Sequence, residues 1–140
     1  MGLLRKSSAT LRFFGDDLIP SEITQVLGCR PTSSAIKGEF IAGETAVDGI
    51  ASTGMWLCKS GPIEPGDLDI QIARIISSMT DDVSVWRKLA SQYEADLFCG
   101  LWLDGFNSGQ PLNADTLWLI AERNLKLDLD IYGDPEQECA

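Results

Sequence analysis

The most constraining feature of the sequence is the segment 125–132 (LKLDLDIY), in which apolar and polar residues alternate without a fault. Successive side chains of a β-strand point to opposite sides, so this segment predicts a strand with one side on a core. The core side carries Leu125, Leu127, Leu129 and Ile131. The opposite side carries Lys126, Asp128, Asp130 and Tyr132, and an acidic tail, 134–140, follows. The chain therefore needs a sheet whose two sides differ.

Three further segments have strand patterns, near 8–14, 53–60 and 95–104. Both sides of 95–104 (ADLFCGLWLD) are apolar, which is typical of a strand in the middle of a sheet. Segments with helical spacing separate the strands, and the clearest of them runs from Leu68 to Met79. We predict helix starts at Pro20, at Asp67, at Asp81 or Asp82, and at Asn113, and helix ends at Gly28 and Asn124.

The order of these elements predicts an α+β fold. The elements follow one another as strand, helix, strand, two helices, strand, helix and strand. This order suggests a four-stranded, mainly antiparallel sheet in a ferredoxin-like split βαβ arrangement, with a helical insert between the halves. A chain of 140 residues is the size of one ordinary domain. We expect residues 1–140 to form a single domain, with its core at about 8–133.

One side of the predicted sheet is rich in aromatic and charged residues. We assign to it Arg12, Phe14, Trp56, Phe98, Trp102, Asp128, Asp130 and Tyr132. The middle helices could cover this side, or it could be an open binding face. The first interpretation is favoured, because large exposed apolar patches are uncommon in monomers.

The composition excludes several kinds of site. The chain has no histidine, which removes Ser-His and Cys-His nucleophile pairs and every histidine-containing zinc site. The four cysteines, at 29, 58, 99 and 139, lack the spacing of zinc or redox motifs. We expect free thiols in a reducing cytoplasm, no secretory signal or membrane span, and neither a metal nor a cofactor.

The net charge of −10 is distributed unevenly. Residues 1–60 carry six basic and six acidic residues, whereas residues 61–140 carry five basic and fifteen acidic ones. An acidic surface repels phosphate backbones, so no nucleic-acid partner is expected. The acidity favours solubility in general, and as an alternative it could provide a face for a basic protein partner.

Several residues are candidates for binding. Asp16 and Asp17 lie on a turn before a helix, where carboxylates more often cap the helix than bind a cation. The long connection 29–52 carries Arg30 and Lys37, and connections of this length are usually functional or mobile. Further candidates are Trp56, Lys59 and Ser60 near the end of a strand, and Asp128, Asp130 and Tyr132 on the last strand. No residue is predicted to be catalytic.

The chain also resembles a known family over roughly residues 8–133. The stretch FFGDDLIPSEITQVLGCRP, the pair KG at 37–38, TGMWLCKS at 53–60 and LDLDIYGD at 127–134 carry the likeness. Together they are similar to the bacterial domain of unknown function 4279. The resemblance supports the fold and implies no particular activity.

Two functions from different classes follow as expectations. The first is a cytoplasmic, non-enzymatic domain that binds another protein, as immunity proteins and inhibitors do. The alternative is a small-molecule binder or hydrolase-like enzyme, with a pocket between the 29–52 loop and the strand 53–60. That pocket would use Lys59, Ser60 and the Asp16–Asp17 turn.

Overall fold

The computed structural model describes residues 2–40 and 49–135. The strands are β1 (Gly2–Leu3), β2 (Lys6–Gly15), β3 (Ser33–Ala35), β4 (Gly54–Ile63), β5 (Glu94–Trp102), β6 (Ser108–Gly109) and β7 (Lys126–Tyr132). The helices are α1 (Pro20–Leu27), α2 (Leu68–Ser77), α3 (Val83–Gln92) and α4 (Ala114–Glu122). The predicted α+β class and the four predicted strands are therefore confirmed.

The sheet differs from the ferredoxin-like prediction in its strand order. Five strands lie in the order β3-β4-β2-β5-β7, and β1 and β6 form a separate parallel pair. In a split βαβ unit, a strand from the other half separates the two strands of each half. Here β2 pairs directly with β4, antiparallel, and β5 pairs directly with β7, parallel. The split arrangement is thus wrong, the sheet is mixed, and β5 has the predicted place away from the edge.

All four helices pack on one side of the sheet. The main core joins strand residues such as Leu11, Phe13 and Leu97 to residues of all four helices, among them Ile72 of α2 and Trp86 of α3. The expectation that the middle helices cover the aromatic side is therefore wrong. They share one layer with α1 and α4, because their apolar stripes face the same apolar side of the strands.

The boundaries of α1 and the starts of α2 and α3 follow the predicted local signals, whereas Asn113 before α4 makes no side-chain capping bond and α4 ends two residues before Asn124. Pro20 is the first residue of α1, where its missing N–H costs no hydrogen bond. Gly28 ends α1 with φ 74°, a left-handed conformation that glycine adopts without strain. The carboxylates of Asp67 and Asp82 accept backbone hydrogen bonds at the starts of α2 and α3.

The connection between α1 and β4 covers part of the other side of the sheet. Met55 and Leu57 of β4 are buried there with Ala35 and Ala51, and Phe14 packs against them. We call these five residues the loop cluster. Backbone hydrogen bonds hold the connection in place, since Gly38 donates to Ala51 and Ala51 donates to Glu39. The hairpin considered over 38–47 lies mostly outside the described residues.

A buried glutamine fixes the register between β2 and β4. The pairing shifts between Ser7 and Ala9, which leaves one extra residue in β4. Gln71 Nε2 of α2 donates to the carbonyl oxygens of Ser7 and Gly61, at 3.2 and 3.1 Å, and contacts Ser60 Oγ at 3.3 Å. Its Oε1 accepts a hydrogen bond of 2.6 Å from Ser7 Oγ. Gln71 therefore satisfies backbone groups that the β-bulge leaves without a strand partner.

We expect Gln71→Met to lower the free energy of unfolding by about 1–3 kcal/mol, because it leaves buried carbonyls unpaired. Urea unfolding measures this loss. Gln25→Met, at an exposed position of α1, is the matched control and should change stability by less than about 0.5 kcal/mol. Equal losses in the two variants would show that the bulge does not depend on Gln71.

Candidate functional site

The side of the sheet away from the helices remains accessible over β2, β5 and β7. The strand registers place one set of polar and aromatic residues together there. We call this set the open face: Lys6, Thr10, Arg12, Asp96, Phe98, Trp102, Asp128, Asp130 and Tyr132. The loop cluster borders it on the β4 side. The sequence allowed an open binding face as its second interpretation. That interpretation describes the part of this side that lies over β2, β5 and β7.

Arg12 lies at the centre of the open face and is held in place by its neighbours. Its Nε and Nη2 donate to the two oxygens of Asp96, at 2.8 and 2.7 Å. Its guanidinium carbon lies 4.3 Å from the ring centroid of Phe98. The hydrogen bond to Asp96 raises the pKa of Arg12, against a smaller lowering by burial. This bidentate pair fixes the direction of the guanidinium and keeps it charged.

An aromatic stack forms the second part of the open face. The rings of Trp102 and Tyr132 lie 4.8 Å apart at an angle of 10°. Lys6 Nζ is 4.4 Å from the Trp102 ring, a cation–π distance. Trp102 lies back over Gly100, where an added Cβ would come within 2.6 Å of the indole. The missing side chain at Gly100 therefore leaves room for the edge of the indole above the strand.

The third part is the acidic row of β7. Asp128 Oδ2 is 3.9 Å from Arg12 Nη2, and the Asp128 side chain is 45% exposed. Asp130 accepts a hydrogen bond of 2.5 Å from the Tyr132 hydroxyl. That bond is the main reason why the pKa of Tyr132 is raised. Both side chains are partly exposed, and carboxylate oxygens can accept further bonds from a ligand.

A cleft of about 470 Å³ lies at the end of the open face where β5 and β7 begin. Its lining combines charged and aromatic side chains: Arg12, Phe14, Tyr93, Glu94, Asp96, Lys126 and Asp128, with Ala90 and Ala95. The charges are mixed, and Asp96 already binds the Arg12 guanidinium. The cleft is therefore suited to polar recognition at the rim of a larger contact.

Two of the candidates on the first turn and the long connection, Asp16 and Lys37, form an ion pair. Asp16 accepts hydrogen bonds from Lys37 Nζ at 2.9 Å and from Thr53 Oγ1 at 3.0 Å. These bonds lower the pKa of Asp16, and the bond from Lys37 makes the largest contribution. Asp17 and Arg30 are exposed. Asp16 and Lys37 thus hold the connection against the turn.

Trp56 lies on the side of the sheet opposite to the predicted one. It pairs with Phe13 of β2, and the two rings meet edge to face at 5.8 Å between centroids. Its Nε1 donates to Thr24 Oγ1 of α1 at 3.1 Å. Trp56 is therefore a buried core residue beneath α1, and its assignment to the aromatic side is wrong.

The structure separates Lys59 from Ser60. Lys59 pairs with Thr10 and lies on the accessible side of β4. Ser60 pairs with Ala9 on the helix side, where Gln71 donates to its hydroxyl. A cleft of about 430 Å³ does lie between α1 and residues 31–39, but neither Lys59 nor Ser60 lines it.

The sequence interpretation missed three residues of the open face, Lys6, Thr10 and Asp96, and the role of Gly100 beneath the Trp102 ring. Asp96 is two positions before Phe98, so strand alternation alone assigns it to the same side. Lys6 is the first residue of β2 and lies outside the predicted strand 8–14. Gly100 carries no side chain, and its role appears only when the Trp102 indole is seen above it.

The described cysteines are free thiols of different accessibility. Cys29 and Cys58 are partly exposed, and Cys99 is buried. Burial, with a smaller contribution from the neighbouring Cys29, raises the pKa of Cys58 to about 11. Burial also raises the pKa of Cys99 to about 12. Cys139 lies outside the described residues. Within 2–40 and 49–135, no group of three or more cysteine or acidic residues is placed to hold a metal ion.

None of the helices in the described part of the chain is long and apolar enough to cross a bilayer.

We expect Gly100→Ala to displace the Trp102 indole and break its stack with Tyr132, because the new Cβ would overlap the ring. Near-UV circular dichroism should lose the signal of this pair. Gly133→Ala, whose Cβ meets nothing within 4 Å, is the control and should preserve the spectrum. Identical spectra for the two variants would show that the stack tolerates a side chain at Gly100.

Cys58 and Cys99 should react in an order set by their burial and their raised pKa values. At pH 8, about one part in 1,000 of Cys58 and about one part in 10,000 of Cys99 is thiolate. As long as the pH stays below the pKa, each increase of one pH unit raises the thiolate fraction tenfold. Alkylation followed by peptide mass spectrometry should label Cys99 only after unfolding. Denatured, unreduced protein should titrate four free thiols. Labelling of Cys99 in the native protein at the rate of an unfolded thiol would contradict this order.

Comparison with known proteins assigns the chain to a family. No curated protein and no solved structure matches it. One family model, described as "Domain of unknown function (DUF4279)", matches residues 5–134. The match spans β2 through β7 and thus includes the whole open face. The chain therefore belongs to the DUF4279 family.

Proposed function

We propose that the chain is a non-enzymatic, cytoplasmic domain that binds a basic protein, in the manner of an immunity protein or inhibitor, and that the open face is its binding surface. The observation that carries the proposal is the fixed arrangement of Arg12, Phe98 and the Trp102–Tyr132 stack on an accessible sheet surface. Aromatic residues and arginine are enriched among the residues that contribute most to protein interfaces.

The arrangement supports binding because it is already ordered before a partner arrives. Asp96 accepts hydrogen bonds from Nε and Nη2 of Arg12, and the Arg12 side chain is 25% exposed. Trp102 is confined between the sheet at Gly100 and the ring of Tyr132. Side chains that are fixed in advance lose less conformational entropy on binding. A surface of this kind suits a partner of defined shape.

The acidic row gives the surface its preference for positive charge. Asp128 and Asp130 lie beside the aromatic stack, in the half of the chain that carries the excess of acids. Long-range attraction between opposite charges speeds the encounter of two proteins and weakens as salt increases. The same charge disfavours nucleic acid, whose backbone is also negative.

The alternative of a small-molecule or hydrolytic site has less support. The space between the connection and β4 is filled by Ala35 and Ala51 against Met55 and Leu57. Lys59 and Ser60 point to opposite sides of β4, so the lysine does not activate the serine across the strand. The cleft between α1 and residues 31–39 remains as the place for such a ligand.

We expect Asp128→Asn with Asp130→Asn to slow association with a genuine partner several-fold while the fold is kept, because both side chains lie off the core. Partners would be captured from the native host with the wild-type chain and with the double variant. The control is Glu22→Gln with Asp81→Asn, which makes the same change in charge at exposed positions on the helix side. The first variant should capture less of a partner than the wild type, and the control should capture as much.

The on-rate of that partner should fall as salt rises, since screening limits the field to about 8 Å at physiological ionic strength. An on-rate that does not depend on salt, or equal capture by both variants, would mean that the acidic row serves only solubility.

A further inference from the structure

Strand β7 ends the sheet with an edge that no described strand covers. Among residues 2–40 and 49–135, β7 pairs with β5 alone. The carbonyl of Tyr132 accepts a hydrogen bond of 3.0 Å from Leu103 N, so the backbone groups of Tyr132 point toward β5. Backbone direction alternates along a strand, which turns the N–H and C=O groups of Leu127, Leu129 and Ile131 toward the free edge. These groups are available to an additional strand.

The side chains that flank this edge differ on its two sides. On the open-face side, Asp128 and Asp130 form the acidic row. On the helix side, Leu129 is 44% exposed and Ile131 is 58% exposed. An added strand would therefore meet acidic groups on one side and apolar groups on the other. A strand that binds there should therefore carry basic side chains on one side and apolar side chains on the other, so that the two kinds alternate along its sequence.

We propose that the β7 edge binds an extended segment of the partner as a sixth strand of the sheet, in which basic and apolar residues alternate. This inference rests on the proposed function and names the chemical class of the partner segment. Its basic side chains would pair with Asp128 and Asp130, and its apolar side chains would cover Leu129 and Ile131. Main-chain hydrogen bonds would supply affinity, and the alternation would supply specificity.

A second copy of the chain fits this edge poorly. When two β7 strands pair antiparallel about Leu129, their open-face sides align, and Asp128 of each copy lies opposite Asp130 of the other. In the register centred on Asp128, Asp128 lies opposite Asp128 and Lys126 opposite Asp130. Like charges opposite one another destabilise such a pair. The net charge of −10 adds repulsion between copies. The acidic row thus discourages self-association while it admits a basic strand.

The row of charges also limits the length of the basic segment. Lys126, at the start of β7, lies on the same side as Asp128. A third basic residue opposite Lys126 would be repelled. The expected segment therefore has two basic residues, at positions i and i+2, each flanked by apolar residues.

The test uses the full chain and synthetic peptides with blocked ends. The first peptide has eight residues, with valine at every second position, lysine at two successive positions of the other frame and threonine at the rest. The second has the same composition with the lysines and valines in separate blocks. A third has glutamate in place of lysine, and a fourth is the alternating peptide with N-methyl groups on alternate residues. Calorimetry measures binding, and NMR hydrogen exchange follows the amides of Leu127, Leu129 and Ile131.

We expect the alternating peptide to bind and to slow exchange at these three amides. The block and glutamate peptides should bind much more weakly, and methylation in the hydrogen-bonding frame should abolish binding. Asp128→Asn with Asp130→Asn should weaken binding by about two- to thirty-fold, as expected for the loss of two cross-strand charge pairs. The control Glu22→Gln with Asp81→Asn should bind as the wild type does.

Equal binding of the alternating and block peptides, or no change in exchange at the three amides, would overturn the strand-addition proposal. Failure of every peptide, while a captured partner still depends on Asp128 and Asp130, would overturn it and leave the proposed function standing. If no partner depends on these residues either, the proposed function fails as well.

Discussion

The register between β2 and β4 is the constraint on which the rest of the structure depends, and one buried side chain holds it. Gln71 reaches from α2 to the bulge and hydrogen-bonds backbone groups of both strands. A shift of one residue in a strand exchanges its two sides. Beyond the bulge, this register places Trp56 under α1 and Met55 on the other side. The division between a helix-packed side and a partly open side follows from this placement.

The outer side of the sheet is divided between packing and exposure. Near β4, apolar side chains meet the returning connection and form a small second core. Near β5 and β7 the outer residues are aromatic or charged, and they satisfy one another through the Arg12–Asp96 pair and the Trp102–Tyr132 stack. Such a surface can remain in water without a cover, because its polar groups are paired and its rings are partly shielded. This explains why four helices can occupy one side and leave this half of the other side open.

The sequence predicted the elements well and their arrangement less well, for physical reasons. Alternation at 125–132 and the proline and glycine around α1 are local signals, and they correctly predicted a strand and the ends of a helix. The expected burial of Leu129 and Ile131 is wrong, because β7 is an edge strand and these side chains are 44% and 58% exposed. Strand order depends on contacts between distant segments, so the ferredoxin-like prediction had no local evidence for the pairing of β2 with β4. For the site, the pattern correctly placed Arg12, Phe98 and Asp128 on one side. It misplaced Trp56, because a strand with apolar residues on both sides carries no periodic signal for its orientation.

The open face offers a partner mainly negative charge, although it contains cations. Arg12 is held by Asp96, and Lys6 lies over the Trp102 ring, so both positive groups already have favourable contacts within the chain. A cation engaged in this way attracts an external anion less, because binding the anion would have to compete with the internal contact. Asp128 has a longer contact, 3.9 Å from Arg12, and remains 45% exposed. The exposed Lys59 and Lys126 also lie on this side of the sheet, at its β4 border and at the start of β7. Along the rest of β7, the charge left for an approaching molecule is that of the acidic row, which lies on the same strand whose backbone edge is free.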